Sequence, residues 1–225
     1  MTTPSSTPAP NPLPGTFVTL DGPGAVGKST TLTALDRLLR NEGRLVHRTC
    51  EPTHSALGQF TRASASFLDG HSLACLVAAN RYEHVQNELR PMRDAGFTVI
   101  SDRYLASSLV LQRLDGVAEQ FVLDLHREVM LPDLAVILTA APDVIAARLA
   151  ERGVRHRFHH DPDAPSRELE LYTEAARTLT SMGVRVLVLD STTIAPKDVA
   201  RRIADALPPD GSSVPGSPNR PTTTR

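Results

Sequence analysis

Residues 17–31 read FVTLDGPGAVGKSTT, and the fold can be built outward from them. Phe17, Val18, Thr19 and Leu20 are β-formers and predict a short buried strand. Gly22, four residues, then Gly27, Lys28 and Ser29 match the phosphate-loop spacing G-x-x-x-x-G-K-[ST]. Leu32, Leu35, Leu38 and Leu39 follow at helical spacing, so the loop opens an amphipathic helix. Gly22, Gly24 and Gly27 permit backbone angles that side chains forbid and let N–H groups close around phosphate oxygens. The helix N-terminus adds partial positive charge. Lys28 supplies a point charge for the β- and γ-phosphates, and the Ser29 hydroxyl can ligate Mg²⁺. The expected ATP contacts therefore run through Gly22, Pro23, Gly24, Ala25, Val26, Gly27, Lys28, Ser29 and Thr30.

Toward the N-terminus, residues 1–14 hold five prolines and no core periodicity, which predicts a disordered lead. Toward the C-terminus, short apolar runs at 44–49, 97–101, 134–138 and 184–189 predict four more strands. Helical patterns separate them, over 54–67, 73–95 with Pro91 kinking it or starting its last turn, 104–130 broken near Asp115-Gly116, 142–152, 166–182 and 195–207. Residues 153–165 are polar, basic and rich in histidine, and read as a loop; 208–225 read as a disordered tail. Five strands alternating with helices predict an α/β, three-layer P-loop fold over 15–207: a parallel sheet flanked by helices, with a short lid at about 153–165.

Ligand sites of open parallel sheets lie at the carboxyl ends of the strands, and two clusters fall there. Asp102-Arg103 follows the third strand; if that strand neighbours the first, the acid can hold Mg²⁺ through water and the guanidinium can grip phosphate. Glu51-Pro52 follows the second strand and forms another wall. A third cluster is basic: Arg148 and Arg152 share a helical face, and Arg155 and Arg157 continue into the loop. Arginines on a closing lid can stabilise the charge that develops on a phosphoryl group in flight. His156, His159, His160, Asp161 and Asp163 have no metal-ligand spacing that defines a site.

The chain has 225 residues, 40% of them hydrophobic, and a net charge of −1. This suffices for one well-buried domain and carries no electrostatic footprint of a nucleic-acid binder or a polybasic membrane protein. Cys50 and Cys75 make no disulfide framework, so a reducing cytoplasm is the expected setting. No apolar run of membrane-spanning length and no secretory signal is visible.

The phosphate loop, Glu51-Pro52, Ala78-Ala79-Asn80-Arg81, Ser101-Asp102-Arg103-Tyr104, Ser107-Ser108 with Gln112, and a lid flanked by Arg148 and Arg152 resemble the thymidylate kinase family from about residue 17 to 207. The resemblance implies phosphoryl transfer from Mg-ATP to a nucleoside monophosphate, and a homodimer. It implies catalytic parts at Lys28, Asp102, Arg103, Arg152, Arg155 and Arg157, metal contacts at Ser29 and Asp102, and an ATP contact at Arg148. The acceptor would meet Glu51, Val77, Arg81, Arg103, Tyr104 and Gln112, with Arg103 on its phosphate and Arg81 on its base. The departures cluster on the acceptor side. Gly24 replaces an acid, Val77 a stacking ring, Cys50 an arginine, and His156-Arg157-Phe158-His159 the usual lid run. The implied acceptor is dTMP or a related pyrimidine nucleotide, with Tyr82, Tyr104 or Phe67 as replacements for the ring.

Two other readings stay open on the residues alone. In a deoxynucleoside kinase Glu51 would be the base that deprotonates a sugar hydroxyl. In an ATP-binding regulatory protein the altered pocket would no longer turn over.

Overall fold

The computed structural model describes residues 14–152 and 164–208. Strands β1 (Phe17–Asp21), β2 (Val46–Cys50), β3 (Thr98–Asp102), β4 (Leu134–Thr139) and β5 (Val186–Asp190) form one sheet in the order β2-β3-β1-β4-β5. Every pairing is parallel, as the alternation of strands and helices predicts. Each strand ends one residue beyond its apolar run. Asp21 pairs with Ile137, Cys50 with Asp102, and Thr139 with Asp190. The ladder is made by backbone groups, so it continues past the point where the side chains turn polar.

Around the sheet lie α1 (Lys28–Asn41), α2 (Ala56–Ser64), α3 (Gly70–His84), α4 (Arg90–Asp94), α5 (Leu105–Leu114), α6 (Glu119–Leu125), α7 (Pro142–Arg152), α8 (Ala164–Ser181) and α9 (Pro196–Ala206). Strand alternation divides the core in two. Phe17, Val99 and Ile137 face Leu109, Tyr172 and Ala175 on one side. Val18, Leu20, Ile100 and Val136 face Leu35, Leu39, Val199 and Ile203 on the other. Each large apolar side chain so buried contributes about 1.5–3 kcal/mol. This is the expected three-layer architecture.

The predicted helix over 73–95 is three pieces. A π-helical turn, Val85–Leu89, joins α3 to α4, and the Arg90 N–H reaches back to Val85 O. Pro91 stands in the first turn of α4. A proline inside a helix removes a hydrogen bond and clashes with the carbonyl four residues earlier, and widening the preceding turn relieves both. Pro165, expected in the loop, lies instead in the first turn of α8, where proline costs nothing. The rest of the predicted lid, 153–163, lies outside the described residues, as do the predicted lead and tail apart from Pro14 and Pro208. Among the described residues no helix is long and apolar enough to cross a membrane.

Candidate phosphoryl-transfer site

The loop between β1 and α1 is closed by contacts that turn its carbonyls away from the anion position. Tyr172 Oη donates to Gly22 O at 3.0 Å, and Ser191 Oγ to Val26 O at 2.8 Å. Because a trans peptide points its C=O and N–H in opposite directions, committing Val26 O to Ser191 directs the Gly27 N–H the other way. Gly22 has φ 142°, and a Cβ there would come within 2.4 Å of Leu138 O, so glycine is obligatory. The positive angles fall at Gly22, Ala25 and Gly27, and not at Gly24 as the spacing suggests.

Lys28 opens α1 and is buried, with Nζ donating to Gly22 O at 2.8 Å and Pro23 O at 2.7 Å. Burial, helped by the nearby Arg103 charge, lowers its pKa to about 7, against the pull of Asp102, Glu168 and Asp21. A bound polyphosphate would restore the proton.

β3 does neighbour β1, as the role of Asp102-Arg103 requires, and Leu20 pairs with Asp102. Arg103 adopts a left-handed φ of 71°. Its N–H donates to Leu20 O at 3.0 Å, and Ser101 Oγ donates to its carbonyl at 2.8 Å, which hold a conformation that costs an L-residue about 1–2 kcal/mol. Its side chain reaches Ser107 Oγ at 3.2 Å, and that hydroxyl donates to Asp21 Oδ1 at 2.6 Å. Asp21 Oδ1 also accepts the N–H groups of Tyr104 at 2.9 Å and Ser107 at 3.0 Å, so this carboxylate caps α5 and braces the Arg103 anchor. Asp102 Oδ1 and Asp21 Oδ2 are buried without a hydrogen-bond partner. Burial raises the Asp102 carboxyl, with Lys28 and Arg103 opposing.

Two cavities flank the loop. One, of about 60 Å³, is lined by Glu51, Val77, Arg81, Arg103, Tyr104 and Gln112 among others, so every residue expected at the acceptor meets there. Arg81 is buried over the Tyr104 ring, 4.7 Å from its centroid. Its Nε and Nη2 donate to Glu51 Oε2 at 2.8 and 2.6 Å, while Nη1 is buried with no partner. Gln112 Oε1 is likewise buried and unpartnered. Among the lining residues, one buried donor and one buried acceptor are thus uncommitted.

Three expectations change here. Tyr82 bonds Leu125 O at 3.0 Å and Phe67 is 70% exposed, and neither lines the cavity. Tyr104 does line it, but Arg81 covers its face, so none of the three expected rings stands free for the missing stack. Glu51 is not a poised base. Burial alone would raise its pKa, but the Arg81 charge and the hydrogen bonds of His84 and Arg81 hold its carboxyl below the usual range.

The other cavity, of about 170 Å³, lies between the loop and α9 and is lined by Ala25, Gly27, Thr30, Arg148, Ile194 and Pro196 among others. Arg148, the expected ATP contact, therefore lies in one cavity with residues of the loop. Arg152 ends α7, and Arg155, Arg157 and the histidines of the predicted lid lie outside the described residues.

The linear motifs missed Asp21, Glu168 and Tyr172. Asp21 carried a usable signal, a carboxylate at a strand's end just like Asp102. Glu168 and Tyr172 lie one turn apart on α8, are buried, and reach the loop only through tertiary packing, which no local spacing announces.

A parallel sheet, a phosphate loop on its first strand and two cavities on either side of that loop define a P-loop nucleotide phosphotransferase. A family model described as thymidylate kinase matches residues 20–195. The chain is 34% identical over 165 residues to a probable thymidylate kinase of Caldivirga maquilingensis, covering 72% of this chain and 80% of that one. It is 39% identical over 154 residues to a thymidylate kinase of Clavibacter sepedonicus, covering 65% and 72%, and 35% identical over 149 residues to one of Caldicellulosiruptor saccharolyticus, covering 63% and 72%. The chain belongs to the thymidylate kinase family of ATP-dependent nucleotide kinases. The readings as a deoxynucleoside kinase and as a binder without turnover find no support among these relatives.

Proposed function

We propose that the chain transfers the γ-phosphoryl group of ATP to dTMP, giving dTDP and ADP. The observation that carries this is the position of Arg103. It lines the acceptor cavity, and its charge acts on Lys28 in the phosphate loop, so the two phosphate chains meet between these cations. An acceptor phosphate oxygen attacks the γ-phosphorus as the bond to the ADP oxygen breaks. No general base is needed, because a monophosphate with a second pKa of about 6 is largely dianionic at neutral pH. Lys28 and the loop amides hold the donor, and Arg103, braced through Ser107 by Asp21, holds the acceptor phosphate. Arg81 Nη1 and Gln112 Oε1 pair with the O4 acceptor and N3–H donor of thymine, one bond each.

The residues fit Mg²⁺. Ser29 and Asp102 offer oxygen donors suited to a hard cation, and Asp102 Oδ1 is buried with no protein partner. Among the described residues no three His, Cys, Asp or Glu side chains converge as a metal centre. When bound, Mg²⁺ would neutralise charge on the donor phosphates. The reading also takes Arg152, Arg155 and Arg157 as the lid arginines, Arg148 beside the adenine end, a homodimer, and a reducing cytoplasm consistent with the free thiols of Cys50 and Cys75.

An ADP-release panel of common monophosphates and nucleosides, with Lys28→Ala as the blank, tests it. The expected result is turnover with dTMP and at least 100-fold loss in the blank. Turnover with nucleosides only would reverse the assignment of the acceptor.

A further inference from the structure

Arg81 grips Glu51 in an unrelaxed way. Its two donating nitrogens share a single carboxylate oxygen, Oε2, at 2.8 and 2.6 Å. A guanidinium and a carboxylate left to themselves prefer two parallel bonds to two oxygens. The second oxygen is withheld by His84, whose Nδ1 lies 3.0 Å from Glu51 Oε1. An ionised carboxylate can only accept, so Nδ1 is the donor. The far nitrogen, Nε2, meets Thr49 Oγ1 at 2.8 Å, and that hydroxyl can donate or accept. The His84 side chain has no exposure at all, so the ring has nowhere to swing.

We propose that His84 is a positioning residue for the acceptor: by holding Glu51 Oε1 it fixes the carboxylate that grips Arg81 Nε and Nη2, and so sets the guanidinium in the wall of the acceptor cavity with Nη1 free of Glu51. The inference rests on the dTMP kinase reading and adds to it a residue that lines neither of the two cavities described above. Three features support it. Nη1 is the buried nitrogen that Glu51 does not occupy. Arg81 and His84 are three residues apart on α3 and face the same strand end. Thr49 pins the ring from β2, the strand that carries Glu51 at its end.

The test separates positioning from packing. His84→Leu fills similar volume without the N–H; His84→Asn restores a donor near the place of Nδ1. Both are assayed for KM and kcat against dTMP and ATP. The leucine variant should raise KM for dTMP about tenfold, the worth of one specific hydrogen bond, with kcat and KM for ATP within about twofold. The asparagine variant should recover most of that loss. Loss of packing would lower the active fraction, and hence kcat, without moving KM for one substrate alone. An unchanged KM for dTMP in His84→Leu, or an asparagine variant no better than leucine, overturns the proposal. If His84→Leu does not fold, Thr49→Val decides: it loosens the ring while sparing Glu51, KM for dTMP should rise about threefold, and no change overturns the proposal. Wild-type protein inactive on every monophosphate would instead defeat the kinase reading itself.

Discussion

Lys28 occupies a place that disfavours its own charge. Burial has brought the amine to about 7, so much of the free protein lacks that proton at pH 8. A triphosphate favours the charged form, and binding must then take up a proton. Calorimetric titration of ATP at pH 8, in two buffers of different ionisation enthalpy, should show uptake approaching one proton, and Lys28→Met should abolish it. Heats independent of the buffer would refute the depressed value. The sign for folding follows from the same shift. Between about 7 and the ordinary lysine value of 10.5 the unfolded chain holds a proton that the folded one has lost, so this group makes the free protein more stable as pH rises. Glu51 gives the same sign from a charge that its site favours, because its carboxyl is held down by Arg81 and His84 and its contribution is lost as pH falls through the folded value.

At the scale of elements, Asp21 joins β1 to α5. One oxygen takes the Tyr104 and Ser107 amides and the Ser107 hydroxyl, and the last of these reaches Arg103. Asp21→Ala should cost about 2–4 kcal/mol in urea unfolding, since three bonds go and two buried amides lose their acceptor. Asp21→Asn, which keeps an oxygen there, should recover most of it; equal stability of the alanine variant and wild type would show that the cap is idle. The strands were legible because Val18, Leu20, Ile100 and Val136 belong to uninterrupted apolar runs. The lining of the first cavity was legible because Glu51, Arg81 and Gln112 stand in recognisable short motifs. What stayed hidden depends on distance in the chain. Tyr172 reads as a core aromatic until α8 packs beside the loop, and His84 reads as one more helical residue until β2 brings Thr49 and Glu51 to it. The π turn was hidden for a different reason, because Pro91 announces a disturbance without saying which kind.

At the scale of the molecule, the loop stands between two cavities with separate linings, so donor and acceptor should stabilise the fold independently. Each ligand at a hundred times its Kd adds about 2.7 kcal/mol, and the two increments should sum to within about 0.5 kcal/mol. Lys28→Ala should erase the increment from ATP and leave that from dTMP, as read by thermal melts; loss of both together would mean that the cavities act as one. The parallel sheet has a wider consequence. Phosphate loop, Asp102, Arg103 and Glu51 all project from one rim, while Thr16, Thr98 and Val46 lie along the other. A genetic screen for cells that keep normal amounts of the protein yet lose its product should therefore return lesions from the first rim alone, and lesions along the second should be recovered only as protein that fails to accumulate.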